Sequence, residues 1–599
     1  MRLIHELLEG YRAGQFTVQE VLQETLSSIR QDDAHAAWIH VLSDSEVAPY
    51  LERLAEADPA ELPLYGIPFA LKDNIDLAGI PTTAACPEFS YVPEASAFAV
   101  QRLLDAGAVP VGKTNMDQFA TGLVGARSPY GACRNAFNRE WISGGSSSGS
   151  AVCVALGAVP FSLGTDTAGS GRVPAALNNL IGVKPTRGIL SAQGVVPACR
   201  SLDTLSIFAT NAADAALVLD AVGAYDPVDS YSRKPEVPRL GRALIPESRF
   251  LFGVPRREDL AFFGNSEGQR LFHEAVARLE SLGGEPVTID LGPFLEAARL
   301  LYEGPWVAER YAAVRSLLES RPDALLPVTR QIIEGASRFD AVQAFEAAYR
   351  LKALTREAEG VWDQVDCIVT PTAARGYSVQ EVDADPVQLN SSLGYYTNFM
   401  NLLDLAAVSV PAGFQADGWP FGVTLFAPAN LDKDLLALAD RFHVAAGLPL
   451  GASDRRLSES YTGAVDGPGE HTVTLAVCGA HMQGLPLNHQ LTDRRATWLE
   501  TTETAPEYRL YALPGGPPER PGLVRVISDG DAVELELWAV PADAVGSFLD
   551  NIPAPLGIGK VRLSDGRLVS GFLCEAEACR DAKDITSFGG WRAYQKERE

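Results

Sequence analysis

At 599 residues and 64.1 kDa, the chain exceeds what one hydrophobic core usually supports, so at least two domains are expected. Its 46% hydrophobic and 21% charged residues exclude a chain that is disordered throughout. The formal charge of -26, from 50 Lys+Arg against 76 Asp+Glu, repels nucleic acid and anionic membrane, so neither is an expected partner, and an anionic substrate needs a local cation.

The first segment, "MRLIHELLEG", is charged and helix-like, without an apolar core and cleavage signal. No run of about 18 uninterrupted apolar residues follows, so a cytoplasmic protein is expected. "TVQEVLQETLSSIR" predicts a helix capped by Thr17. Next, "YGIPFALKDNI" and "AVPVGKTN" read as strands, while "SAFAVQRLLDAGA" and "SAVCVALGA" read as helices. That alternation predicts an α/β fold with a mixed β-sheet covered by helices. Residues 268–360 turn strongly helical, strands return at "CIVTPTA" and "AAVSVPAGF", and "DKDLLALADRFHVAAG" is a last helix.

The texture then changes. "GASDRRLSESYTGAVDGPGEH" is polar and rich in Gly and Ser, as interdomain linkers are. Beyond it, β-runs joined by Asp-Gly turns and a helix at "DAVGSFLDNI" predict a small α+β domain. The expected organisation is a first domain over 1–455, a linker over 456–470 and a second domain over 471–599. The eight cysteines include no C-x-x-C pair. A structural zinc site or redox motif is therefore not expected, and the thiols read as reduced.

"GGSSSGS" (Gly144–Ser150) concentrates four serines in seven residues. A serine hydroxyl needs a base to become a nucleophile, yet no histidine lies between residues 41 and 272. Ser147 formally occupies the elbow position of G-x-S-x-G, but the preceding "AFNREWIS" is too polar for the buried strand that such an elbow follows. A phosphate loop would require a lysine that is missing. What is left for this loop alone is a turn entering the helix "SAVCVALGA".

Taken together, Lys72 in "GIPFALKDNID", the "GGSSSGSAV" loop and "GTDTAGSGRVPAALNNLIGVKPT" resemble the amidase signature family over roughly residues 20–450. The resemblance implies a Ser–Ser–Lys triad with Ser170 as nucleophile, Ser146 as bridge and Lys72 as base. Chemistry agrees: burial beside "PFAL" would lower the lysine pKa from about 10.4 and make it a proton acceptor. The amides of Thr167, Ala168, Gly169 and Ser170 are the expected oxyanion hole. Ala168 stands where many amidases have glycine.

Within that family, "ATGLVGARSPYG" and "LYEGPWVAERYAAV" resemble the allophanate hydrolases. This implies that Tyr302 and Arg310 hold the substrate's carboxylate, an arginine fork suiting such a group. The spacing of the two predicts one shared helix face. Gly122 and Gly125 are expected to lend backbone contacts. "CGAHMQGLPLNHQLTDR" resembles the allophanate hydrolase C-terminal domain, of the γ-glutamylcyclotransferase-like folds. There the resemblance implies His481 as base, with His489 the weaker candidate.

The implied reaction is hydrolysis of allophanate to ammonia and N-carboxycarbamate, followed by decarboxylation aided by the second domain. No cofactor or metal is implied. The implied partners are a second copy in a homodimer and a separate urea carboxylase. The alternatives are an amidase for another small carboxylated amide such as malonamate, and an amidotransferase A-type subunit.

Overall fold

The short apolar runs of the first half become strands of one eleven-stranded sheet, in the order β1-β3-β2-β4-β6-β5-β10-β11-β9-β7-β8. These strands are β1 (Trp38–Val41), β2 (Pro68–Lys72), β3 (Val109–Thr114), β4 (Phe161–Asp166), β5 (Ile181–Lys184), β6 (Thr204–Ala209), β7 (Phe250–Pro255), β8 (Gly284–Ile289), β9 (Cys367–Pro371), β10 (Leu405–Phe414) and β11 (Pro420–Pro428). The computed structural model describes residues 2–31, 33–59, 61–234, 249–457, 472–494 and 496–598. The chain divides into two units, Met1–Gly467 and Pro468–Glu599. From residue 458 on, the expected linker lies outside the described residues.

In the first unit the sheet is mixed. β2 runs parallel to β3 and β4, whereas β4 with β6, β5 with β6 and β10 with β11 pair antiparallel. Every residue of β2, β3 and β4 is buried. This explains why their sequences read as apolar runs instead of alternating, as strands covered on both faces do. The expected helices form as Val18–Gln31, Phe98–Asp105, Ser148–Ala155 and Asp432–Ala446. Thr17 caps the first: its hydroxyl accepts the Glu20 amide at 3.2 Å, and Glu20 Oε2 accepts the Thr17 amide at 2.8 Å.

The second unit pairs a five-stranded sheet with a three-stranded one. The larger has the order β13-β16-β12-β18-β17 and the smaller β15-β14-β19. They comprise β12 (Thr472–Val477), β13 (Thr497–Glu503), β14 (Tyr508–Ala512), β15 (Pro521–Arg525), β16 (Glu534–Pro541), β17 (Leu556–Arg562), β18 (Leu568–Cys574) and β19 (Lys583–Asp584). β17 and β18 form the hairpin expected at Asp565–Gly566, where Gly566 takes φ +92°. Among the described residues, no helix of the protein is long and apolar enough to cross a membrane.

Candidate active site

Lys72 ends β2 and is completely buried. Its Nζ lies 2.7 Å from Ser146 Oγ and 2.7 Å from Thr165 Oγ1. Burial pushes its pKa down to about 7, although Asp117, Asp203 and Asp166 pull the other way. An amine with that pKa is a proton acceptor near neutrality. Uncharged, it has one lone pair for the Ser146 O–H and N–H groups for Thr165.

Ser146 is also wholly buried, in a loop tied down from two sides. The Asp117 amide donates to Ser146 O at 3.1 Å. The neighbouring serines shape the turn from within and are not solvated. Ser147 Oγ donates to Thr165 O at 3.0 Å, Ser148 Oγ to Asn115 O at 3.1 Å and Ser150 Oγ to Leu163 O at 3.0 Å, and all three are buried. Short hydroxyl side chains stitch the loop and its helix to adjacent backbone, including the β4 backbone that carries Thr165.

Ser170 sits in the turn leaving β4. Asp166 Oδ1 accepts the Gly169 amide at 2.8 Å, and Oδ2 accepts the Gly171 amide at 3.0 Å. One carboxylate thus holds the N–H groups of the residues on both sides of Ser170. Arg172 closes on the same group, Nη2 to Oδ1 and Nε to Oδ2, both at 2.8 Å. Burial works against charge on Asp166, but the Arg172 guanidinium outweighs it and holds the carboxyl below its usual range. Gly169 has φ +140°, and a Cβ there would stand 2.3 Å from Thr397 Oγ1, so the turn requires glycine. Ser170 Oγ makes no hydrogen bond among the described residues.

The expected oxyanion hole needs one correction. The Gly169 N–H is already given to Asp166, which leaves the amides of Thr167, Ala168 and Ser170 as the donors without a protein acceptor among the described residues. Thr167 Oγ1 donates to the half-buried carboxylate of Asp203, which also accepts the amides of Ala198 at 2.8 Å and Cys199 at 3.2 Å. Asp203 therefore fixes the backbone of this cradle.

Tyr302 and Arg310 meet, though not on one helix. Tyr302 lies in Gly292–Glu303 and Arg310 in Val307–Ser320. Gly304 and Pro305 interrupt the pattern, because proline disfavours helix at the residue before it. Even so, Arg310 Nη2 donates to Tyr302 Oη at 3.2 Å, and the guanidinium stands 5.4 Å from the ring centroid. Nη1 donates to Ala120 O at 3.1 Å and Thr121 Oγ1 at 3.2 Å.

Gly125 is bound into the protein's own framework. The Gly125 N–H donates to Asp117 Oδ2 at 3.0 Å, so it is not left for a ligand, and its carbonyl accepts the Cys133 amide at 2.8 Å. A Cβ on Gly122 would meet Asp117 Oδ2 at 2.7 Å and Arg127 Cδ at 3.1 Å.

In the second unit, His481 is stacked on Phe572, with centroids 5.0 Å apart, and lies edge-on to Phe548 at 5.2 Å. Its Nε2 lies 3.0 Å from Gln490 Oε1; in the tautomer that donates from Nε2 to this oxygen, the lone pair is on Nδ1. Burial lowers its pKa, so the ring is a neutral base near pH 7. His489 is exposed, with Nδ1 placed 3.0 Å from Pro486 O.

The family model described as Amidase matches residues 20–436 of the chain. The chain belongs to the amidase family. A second model, the allophanate hydrolase C-terminal domain, matches residues 473–596 of this amidase. Over its length it is 43% identical to a solved Kluyveromyces lactis allophanate hydrolase, with TM-score 0.87, covering 100% of this chain and 99% of that one. It is 45% identical over 591 residues to the urea amidolyase of Saccharomyces cerevisiae, matching 96% of this chain and 32% of that protein. The amidase thus spans about a third of the length of the curated relatives it matches first. The A-type subunit of a glutamyl-tRNA(Gln) amidotransferase from Cyanothece is 32% identical to it, over 73% of this chain and 96% of that one.

Motif reading of this amidase did not single out Thr165, Asp166, Arg172, Asp117 or Asp203. Asp166 and Arg172 stand inside the quoted "GTDTAGSGR". Their spacing around a small-residue turn was the available signal, since a carboxylate capping the amides of such a turn is an ordinary use of aspartate.

Proposed function

We propose that this amidase hydrolyses allophanate. The observation that carries the reading is the pair of buried Arg310 and half-buried Tyr302, at 3.2 Å, in a chain whose buried Lys72 contacts Ser146. A guanidinium and a phenol suit a carboxylate, and a lysine with pKa lowered to about 7 suits activation of a serine. Full-length likeness to an allophanate hydrolase supports the same substrate.

In this reading Ser170 Oγ attacks the terminal carbamoyl carbon. Its proton passes to Ser146, whose own proton goes to Lys72 Nζ. The oxyanion is met by the amides of Thr167, Ala168 and Ser170. Collapse breaks the C–N bond, and the nitrogen takes its electron pair and the proton from Lys72 to leave as ammonia. Water, deprotonated through the same relay, then releases N-carboxycarbamate and restores Ser170.

In the second unit, His481 Nδ1 takes the proton from the carboxylic acid form of N-carboxycarbamate. Carbon dioxide departs, the C–N electron pair stays on nitrogen, and the proton returns to that nitrogen. Supply of the substrate by a urea carboxylase fits this chemistry, in line with the urea amidolyase likeness.

The test follows ammonia and carbon dioxide separately from allophanate. Ser170→Ala is expected to abolish ammonia release, and retained turnover would sink the assignment. His481→Ala is expected to leave ammonia release intact while slowing carbon dioxide.

A further inference from the structure

Arg310 is not the only buried guanidinium beside Thr121. Arg127 is 4% exposed, and its Nη1 donates to Thr121 O at 2.8 Å while Nη2 donates to Pro386 O. Its Nε is buried and has no hydrogen-bond partner. Arg310, 2% exposed, reaches the hydroxyl of the same threonine. The two charges act on each other, and both act on Tyr302.

Buried charges normally sit against a counter-charge, because stripping their water is costly. Neither arginine has a carboxylate ion pair among the described residues; Asp117 acts on Arg127, and Asp203 and Glu309 on Arg310, only from beyond ion-pair distance, while they hold other groups. Asp117 accepts the amides of Val124, Gly125 and Arg127. Asp203 is taken by Thr167, Ala198 and Cys199. Glu309 accepts the Ser201 amide at 2.9 Å and its hydroxyl. Two buried cations converge on Thr121 without a direct anionic partner, and Arg127 still has a donor to give. Gly122 makes room for the second cation, since a Cβ there would crowd Arg127 Cδ at 3.1 Å.

We propose that Arg127 is a second determinant of carboxylate specificity, completing with Arg310 and Tyr302 a doubly cationic acceptor for the substrate's anionic end. The inference rests on the carboxylated-amide reading above. It accounts for how a chain of net charge -26 captures an anion: the site concentrates positive charge where water is excluded and Coulomb forces are strong.

The test compares allophanate with biuret, the neutral amide of the same shape, and measures competitive inhibition by malonate. Arg127→Gln is expected to raise the malonate inhibition constant about 10- to 100-fold, the worth of one charged hydrogen bond. It should raise KM for allophanate comparably, with little change on biuret. Arg127→Lys keeps a charge but loses the fork, so an intermediate loss is expected, and it serves as the readable variant if Arg127→Gln fails to fold. A folded variant of either kind with wild-type malonate affinity overturns the proposal, as does an equal loss on allophanate and biuret. If Arg310→Lys weakens malonate and the Arg127 variants do not, only this inference fails. If wild type shows no preference for allophanate over biuret, the carboxylate reading fails with it.

Discussion

Asp166 and Arg172 form a two-pronged ion pair at 2.8 Å on each arm, and the same carboxylate oxygens hold the amides flanking Ser170. The pair is buried, so removing one partner strands a charge. Asp166→Asn is expected to cost about 3–5 kcal/mol of stability in denaturant unfolding. In protein that remains folded, kcat is expected to fall far more than KM rises, because the turn that aims Ser170 and the cradle amides has lost its anchor. Unchanged kcat would separate Asp166 from catalysis.

Lys72 sets a pH limb. With its pKa lowered to about 7, kcat/KM for ammonia release should rise with pH and level off above that value. The same shift bears on stability. The folded value lies below the ordinary 10.5, so the contribution of Lys72 is fully present above 10.5 and is lost as pH falls towards 7. Lys72→Met should therefore be inactive at all pH values, and its stability deficit should shrink between pH 10.5 and 7. Urea melts across that window check the sign.

Arg310→Lys tests the carboxylate fork directly. A point charge cannot reproduce the contacts to Tyr302, Thr121 and Ala120 together. KM for allophanate is expected to rise about 10- to 100-fold, with kcat changed less. Steady-state kinetics of ammonia release distinguish this from a loss in kcat alone.

His443, in the helix Asp432–Ala446, is buried with neither ring nitrogen hydrogen-bonded. Burial, with the Arg278 charge, lowers its pKa to about 4. A depressed folded value means that its neutral form supports the fold above 6.5, and this support is lost as pH falls through about 4. His443→Phe should flatten that part of the acid-unfolding curve, read as the denaturant midpoint at successive pH values.

The candidate chemistry was legible largely because it lies in contiguous motifs. Lys72 ends an apolar strand, and the serines stand in small-residue turns entering helices, so residue type and order carried the resemblance. Strands β2, β3, β9 and β10 were legible as apolar runs. Strand β4, "FSLGTD", was not singled out, since its Gly and Asp are poor strand formers, yet it supplies both Thr165 and Asp166. The single helix expected for Tyr302 and Arg310 failed at Gly304–Pro305, and two helices bring the side chains together instead.

The sequence by itself determined which side chains are available and in which local frames: a lysine at a strand end, serines in tight turns, an arginine beyond a tyrosine. Only the tertiary structure decided which of them meet. The contact of Lys72 with Ser146 spans 74 positions and that with Thr165 spans 93. No local pattern reports that Asp166 claims the Gly169 amide or that Arg127 and Arg310 converge on Thr121. Those partnerships follow from the packing of β2 beside β4 and of distant loops around them, where burial removes water and leaves each polar group to the neighbours within its reach.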